Sequence, residues 1–231
     1  MEEPQQEQAP LKMEKRQISR MSLKAINGRI MEECNQDLRW PYCMETFKKM
    51  CKDSTIFPSL NLMEMSISKV EWNVKIPEGY EDQLKDKAEF LKSVMNDMEH
   101  SWYEFIRRAS TFNRFGFSTI EKVYRRRYKK DGSKYDDGLI GLESLPSIDQ
   151  DSIADWVFDK GGRKLLGLRQ WDKRPTSPEQ YSYPSLWAEA TPIQRRKFLL
   201  FRADPLKDNP EGTSPLAGVY VAWRFKTELN F

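Results

Sequence analysis

The sequence predicts an α+β fold, in which N-terminal helices and a long helix pack on antiparallel strands and hairpins, and a C-terminal helix closes the chain. Two observations carry this prediction. Apolar residues recur at helical spacing from Leu84 to Phe112. Beyond Gly116 the pattern changes to short runs of β-branched and aromatic residues separated by turn residues. Helices followed by runs of strands indicate α+β rather than a doubly wound parallel sheet.

The first residues, 1–16, mix Gln, Glu and Pro and contain no aromatic side chain, which predicts a flexible N-terminal arm. An arm that becomes ordered against a partner is the alternative. The domain is then expected to span 17–231. From Ile18 to Cys34 the apolar residues give a weak helical pattern, which Asn27-Gly28 interrupts.

Two short helices are predicted next. Pro41 suits the first turn of a helix that runs to about Lys52. Cys43 and Cys51 occupy apolar positions of that helix, so they are interpreted as small core residues rather than metal ligands. The Asp53-Ser54 pair can cap a further helix, at about 57–66.

The segment from Val70 to Ile76 alternates strictly between apolar and polar residues, which predicts a half-buried strand ended by Pro77. The long helical pattern follows. Its regular spacing also fits a coiled coil. One helix, or two helices broken near His100-Ser101, packed on a sheet, is the favoured interpretation.

Several antiparallel strands are expected in the second half. Phe117–Tyr128 and Leu139–Leu145 form one predicted hairpin, and Trp156–Phe158 pairs with Leu165–Trp171 in a second. Residues 172–192 hold four prolines and predict an extended loop.

The chain is expected to end with a strand and a helix. Lys197–Arg202 is the predicted strand, and Thr213 or Ser214 can cap a helix that has Pro215 in its first turn. One side of that helix is expected to be apolar, through Val219, Ala222, Trp223 and Leu229.

Composition excludes several function classes. The single histidine, His100, and the lack of nucleotide-binding, metalloprotease and serine-hydrolase motifs predict a protein that is not an enzyme and needs no cofactor or metal. The longest apolar runs are a few residues, so no membrane contact is expected. The net charge of +3 does not by itself indicate a nucleic-acid partner.

A basic cluster is the main candidate contact surface. Tyr124 and Tyr128 are interleaved with its members, which are Lys122, Arg125, Arg126, Arg127, Lys129 and Lys130. Alternation along a strand would place Arg125, Arg127 and Lys129 on one face, and Tyr124, Arg126, Tyr128 and Lys130 on the other. Arg and Tyr together suit phosphate contact and base stacking. A solvated hairpin arm, whose charges keep an exposed edge from aggregating, is the alternative that we prefer at this point.

A second basic cluster contains Arg195, Arg196, Lys197 and Arg202, and it could face an acidic surface of a neighbouring subunit or water. The acidic stretch Asp149–Asp155 lacks the glycine and the closing glutamate of a calcium loop. It is interpreted as a loop with helix-capping acids.

Four stretches of this sequence resemble the tailed-phage portal proteins, in particular the Mu-like group. The first is Phe115-Gly116-Phe117-Ser118 with Glu121-Lys122, and the second is Phe158-Asp159 with Gly161-Gly162 and Leu166–Gln170. The third is Lys197-Phe198-Leu199. The fourth is Asn209–Leu216, followed by Tyr220, Trp223 and Lys226. They follow the order of the family over about 55–230.

The resemblance implies a structural virion protein that forms a ring of about twelve copies at one capsid vertex. Double-stranded DNA would be packaged and ejected through that ring. The implied partners are the capsid protein, the terminase and the head-tail adaptor. The protein would be made in the host cytoplasm and located in the virion. A nucleic-acid-binding protein that uses the 122–130 hairpin is the alternative function.

The sequence departs from the family at two places. Ala217 stands where the family commonly has a basic residue, so a contact through that side chain is not expected here. The chain also corresponds only to the N-terminal wing region, with the stem, clip and crown absent, so it is not expected to form rings alone.

Overall fold

The predicted α+β architecture is confirmed in a computed structural model, which describes residues 23–160, 162, 164–171 and 192–229. The predicted N-terminal arm, 1–16, and nearly all of the proline-rich loop, 172–192, lie outside the described residues.

The helical interpretation of the segment that contains Asn27-Gly28 is wrong for its described part. Two short strands, β1 (Ala25–Ile26) and β2 (Arg29–Ile30), pair there as a hairpin. Asn27 and Gly28 both have positive φ, +50° and +78°, which is the conformation that a two-residue hairpin turn requires. The Asn-Gly turn therefore overrides the weak helical spacing.

The two predicted helices are confirmed as α1 (Cys43–Met50) and α2 (Ile56–Ser68). Cys43 is buried in the core and Cys51 is half-buried, as interpreted from their spacing. The carboxylate of Asp53 accepts hydrogen bonds from the backbone N–H groups of Thr55 and Ile56, at 2.8 and 3.3 Å. These contacts cap the start of α2.

The prediction of a half-buried strand at Val70–Ile76 is wrong. Residues 71–77 form no strand, because no other described segment lies alongside to complete a ladder. Val70 and Trp72 remain 56% and 52% exposed.

The long apolar pattern is confirmed as separate helices rather than a coiled coil. They are α3 (Glu81–Asp97), α4 (Trp102–Ala109) and the single turn α5 (Phe112–Phe115). The break falls at the predicted place, since Ser101 Oγ accepts a hydrogen bond from the N–H of Glu104 and caps α4. His100 lies in the connection, half-buried.

A central antiparallel sheet follows α5. Strand β3 (Phe117–Glu121) lies between β10 (Phe198–Arg202) and the short β6 (Ser147–Ile148). The same two chain segments continue as β4 (Val123–Arg126) and β5 (Ile140–Ser144), which pair with each other. This continuation is the predicted basic hairpin.

A second antiparallel sheet contains β7 (Ile153–Phe158), β8 (Leu165–Gln170) and the short β9 (Ile193–Gln194). The N-terminal hairpin contacts its edge, because Gly28 O accepts a hydrogen bond from the N–H of Trp156 at 3.0 Å.

Two hydrophobic clusters lie on opposite faces of the central sheet. Phe117 of β3 belongs to one cluster, with α1, β7, β8 and the last helix. Ile120 of the same strand belongs to the other, with Phe105 and Ala109 of α4. Alternation along β3 and β10 therefore joins the two clusters through shared strands.

The last helix, α6 (Pro215–Leu229), begins where it was predicted, since Ser214 Oγ accepts a hydrogen bond from the N–H of Leu216. Of its predicted apolar side, only Trp223 packs against the core, and Ala222 is exposed. Leu216 and Tyr220 are the buried residues, while Val219 and Leu229 are exposed. The Tyr220 hydroxyl donates to Asp37 at 2.5 Å, which fixes that face inward. Across the described part of the chain, every helix is too short or too polar to cross a membrane.

Candidate functional site

Two of the four sequence stretches that carry the resemblance, those that begin at Phe115 and at Asn209, meet at one place together with the residue that follows β10; we name this place the glycine junction (residues 114–117, 203 and 209–216). Ser214 Oγ donates to the carbonyl of Arg114 at 2.7 Å. The N–H of Ala203 donates to Gly116 O at 2.8 Å, and the N–H of Thr213 donates to Ala203 O at 2.7 Å. The junction thus connects the end of α5, the end of β10 and the start of α6.

Two glycines allow these backbones to approach closely. Gly116 and Gly212 have φ values of +88° and +59°, where other residues are strained. A Cβ added to Gly212 would lie 2.3 Å from Gly116 O, and one added to Gly116 would lie 2.7 Å from Glu211 O. Any side chain at either position would separate the segments.

Glu211 places a carboxyl group beside the junction. The carboxyl accepts a hydrogen bond from Trp156 Nε1 at 3.2 Å. Burial raises the pKa of Glu211 to about 8, so the group is mostly protonated at neutral pH. The residue as a whole is half-buried, because one side of it borders a cavity.

The cavity beside Glu211 has a volume of about 290 Å³. Trp40, Cys43, Phe47 and Phe115 are among the residues that line it, and His100 is not. Burial, the largest cause, raises the pKa of the Cys43 thiol, so no thiolate is available at neutral pH. The thiol is therefore not an activated nucleophile, and the other acidic side chains that line the cavity are Glu32 and Glu33.

The basic hairpin, which we name the basic arm (residues 122–139), divides into an inner and an outer face. The predicted alternation is confirmed over 124–127: Arg127 is buried and Arg125 half-buried, while Tyr124 and Arg126 are exposed. Lys129 and Lys130 at the tip are also exposed, and Lys122 at the base is half-buried.

The inner arginines hold the arm against α3. Arg125 donates to the carbonyl of Asp97 at 2.6 Å and forms an ion pair with its carboxylate at 3.6 Å. Arg127 donates to Ser93 Oγ at 2.8 Å, pairs with Asp137 at 3.1 Å, and stacks on Tyr135 with 4.0 Å between the guanidinium carbon and the ring centre. Both side chains therefore have internal partners, whatever else the arm contacts.

Asp97 is the residue of this region that sequence reasoning missed. Its buried carboxylate accepts hydrogen bonds from Ser133 Oγ and from the N–H of Lys134, each at 2.7 Å. Burial alone would raise the pKa of Asp97, but these bonds and the charge of Arg125 outweigh it and lower the pKa. A lone Asp at the end of an amphipathic helix gives no sequence signal of such contacts.

The second basic cluster is also divided. Arg195 is half-buried, donates to the carbonyl of Phe198 at 2.8 Å, and lies over the Phe198 ring. Arg202 pairs with Asp208 at 2.6 Å. Arg196 and Lys197 are exposed. The two basic clusters thus leave an outward set consisting of Arg126, Lys129, Lys130, Arg196 and Lys197.

The acidic stretch at Asp149–Asp155 has structural roles in ion pairs. Asp155 is buried and receives two hydrogen bonds from Arg169 across the β7–β8 pair, one of them at 2.8 Å. Asp151 pairs with Lys48 of α1. In the part of the chain that the structure describes, no group of three potential metal-binding side chains is present.

Comparison with models of known protein families gives a match. The sequence model of the family described as the portal protein of Mu bacteriophage matches residues 44–229. This range contains α1 from its second residue, α2 through α6, the glycine junction and the basic arm, and it begins after the N-terminal hairpin. No curated protein matches the chain significantly.

Proposed function

This chain belongs to the family of Mu bacteriophage portal proteins, and we propose that it is a structural subunit of the ring at the portal vertex of a phage capsid. In this proposal about twelve copies close into a ring through a repeated head-to-tail contact. DNA is packaged and ejected through the ring. The chain supplies the wing-like part of the subunit.

The observation that carries the proposal is the family match over 44–229, which includes most residues of both hydrophobic clusters and nearly all residues of the six described α-helices. The glycine junction adds support from the fold. Two stretches that resemble the portal family, at 115–118 and 209–216, lie in contact there although about a hundred residues separate them.

A structural role agrees with the surface and the interior. The portal family is structural, and the Cys43 thiol in the cavity beside Glu211 has a raised pKa, so it is not an activated nucleophile. The surface instead offers exposed apolar side chains on helices, among them Leu62 of α2 and Phe225 of α6, which suit contacts between proteins. The proposed contacts are with neighbouring subunits, the capsid protein, the terminase and a head-tail adaptor.

Localisation of the chain in phage particles tests the proposal. Gold-labelled antibody raised against this chain should mark a single vertex of each particle, and quantitative mass spectrometry should find about twelve copies per particle. An antibody against the major shell protein is the matched control and should mark the whole shell. Labelling spread over the shell, or absent from purified particles, would contradict the proposal.

Nucleic-acid binding by the basic arm is the second candidate function. The exposed residues Tyr124, Arg126, Lys129 and Lys130 support it, since they combine cations with an aromatic ring on the outer face. Arg125 and Arg127 do not add to it, because they contact α3. A variant that removes the outer charges therefore tests this function without opening the arm.

The variant carries Arg126→Glu, Lys129→Glu and Lys130→Glu, and its control carries Arg196→Glu and Lys197→Glu in the other basic cluster. If the arm binds nucleic acid, the first variant should lose salt-dependent binding to double-stranded DNA by at least about tenfold, and the control should keep it. Equal binding by both variants and the parent chain would exclude the arm as the DNA-binding surface.

A further inference from the structure

The segment Val70–Ile76 has the sequence of a strand, but no strand of the described part of the chain lies beside it. Its apolar and polar residues alternate strictly. Among the described residues, none donates to or accepts from the backbone N–H and C=O groups of Glu71–Ile76. Six consecutive residues with unpaired backbone groups are a template for pairing with another chain.

The exposure of the side chains points the same way. Glu71, Asn73 and Lys75 are exposed, and Val74 and Ile76 are half-buried, as expected for a strand with one face toward the protein. Trp72 contacts Trp102, with 6.2 Å between ring centres, yet 52% of its surface is exposed. The apolar face is thus only partly covered.

A groove with a volume of about 380 Å³ lies beside the segment, toward α3 and α4. Its lining includes Met95 of α3 and both Tyr103 and Ile106 of α4, together with Trp72 and Val74 of the segment itself. An added strand would place apolar side chains next to this lining, so the neighbouring surface is suited to a strand of the same pattern.

The charges of the segment are arranged symmetrically about Asn73. In an antiparallel pair of two identical segments centred there, Glu71 of one copy lies opposite Lys75 of the other, and Val70 lies opposite Ile76. Trp72 lies opposite Val74, an aromatic and β-branched pair. Every directly opposed pair is favourable in this register, whereas a partner of one charge sign would meet a like charge at Glu71 or Lys75.

We propose that Val70–Ile76 is a docking strand for a second copy of this chain, with which it forms a two-fold antiparallel pair centred on Asn73. Such a contact uses the same patch on both copies and closes after two. It therefore differs from the head-to-tail contact of a ring, and it joins subunits that are outside a ring. The inference does not depend on the proposed function.

Cysteine cross-linking of the full chain tests the register. In a background with Cys34→Ser, which removes the exposed native thiol, Asn73→Cys should oxidise to a covalent dimer of twice 27.3 kDa. Glu71→Cys and Lys75→Cys are the matched controls. In each control, the introduced cysteine of one copy and the same cysteine of the other copy would lie about 13 Å apart. This distance exceeds the roughly 7 Å Cα–Cα limit for a disulfide. Equal cross-linking at all three positions, or none at position 73, would overturn the proposal.

Charge reversal gives an independent measurement by sedimentation equilibrium of the uncross-linked chain. Glu71→Lys or Lys75→Glu alone should weaken dimerisation by about tenfold, because each creates two like-charge pairs per dimer. The double reversal should restore it. If both single variants dimerise as the parent does, the two-fold pair does not form. The same conclusion follows if the parent chain is monomeric at about 100 µM.

Discussion

At the scale of single residues, Gly116 and Gly79 have nearly the same φ in different surroundings. Their φ values are +88° and +84°. A Cβ on Gly116 would lie 2.7 Å from Glu211 O and 3.1 Å from the Ser214 nitrogen, while nothing lies within 4 Å of one on Gly79. The two positions therefore separate the cost of strained backbone from the cost of disturbing the glycine junction.

Gly116→Ala should lower the free energy of unfolding by about 3 kcal/mol, from backbone strain plus displacement of the 209–214 turn. Gly79→Ala carries the strain alone and should cost about 1 kcal/mol. Chemical denaturation of both variants measures the difference. Equal losses would show that the close approach at the junction can relax without cost.

Glu211 makes stability depend on pH in a direction opposite to that of most carboxylates. Burial raises its pKa from 4.5 to about 8, so the folded chain binds a proton between these pH values and the unfolded chain does not. The free energy of unfolding should therefore fall as the pH rises from 4.5 to above 8. Water at the exposed side of Glu211 weakens the effect of this pKa shift on stability. The free energy of unfolding should therefore fall by about 2 kcal/mol over this pH range.

Glu211→Gln tests this dependence, because Gln keeps an acceptor for Trp156 Nε1 and carries no charge. The variant should be more stable than the parent at pH 9 and closely similar at pH 4.5, as measured by thermal or urea unfolding. The Tyr220–Asp37 hydrogen bond lies elsewhere, so Tyr220→Phe should keep the pH slope of the parent. A parent chain with no pH slope assignable to Glu211 would mean that the carboxyl is ionised in the folded state.

At the scale of elements, the basic arm is held on α3 by the contacts of Asp97. The pKa of Asp97 is lowered in the folded chain. The ionised carboxylate therefore adds to the free energy of unfolding above about pH 4, and this stabilisation is lost as the pH falls through the lowered pKa. Asp97→Asn removes the charge opposite Arg125 and should speed hydrogen exchange in the arm by about tenfold at neutral pH.

The matched control for the arm is Asp131→Asn, since Asp131 is an exposed carboxylate at the tip. Exchange of the arm amides, the Lys134 N–H among them, should be unchanged in that variant. If Asp97→Asn leaves arm exchange as slow as in the parent, Arg127 with Ser93 and Tyr135 suffices to hold the arm.

Local rules predicted the elements whose partners are close in sequence. The break at His100-Ser101, the cap at Ser214 and the β4–β5 hairpin each depend on residues within one turn or one hairpin, and each is confirmed. The strand at Val70–Ile76 failed for the opposite reason. Its alternation was correctly recognised, but a strand also needs a neighbour, and the sequence of one segment does not show whether a neighbour exists.

The candidate site could be predicted from the sequence to a similar extent. The alternation along β4 correctly separated Arg125 and Arg127 from Arg126, because side chains of a strand point to opposite faces. What the inner arginines contact was not predictable, since Asp97 lies nearly thirty residues earlier. The glycine junction likewise joins segments about a hundred residues apart.

At the scale of the whole molecule, β3 and β10 connect the two hydrophobic clusters. Phe117 and Phe198 face one cluster, while Ile120 and Phe201 face the other. Neither cluster can lose these strands without exposing apolar surface of the other. The described part of the chain should therefore unfold as one cooperative unit, with the clusters coupled through the shared sheet.

Phe105→Ala tests that coupling from the α4 side, because Phe105 is buried in the second cluster only. The cavity it leaves should lower the free energy of unfolding by about 3 kcal/mol or more. If the sheet couples the clusters, the slowest-exchanging amides of α4 and of β7 should both exchange faster by the same factor. The exposed substitution Tyr103→Ala on the same helix should change neither. Faster exchange confined to α4 would mean that the two faces of the sheet unfold independently.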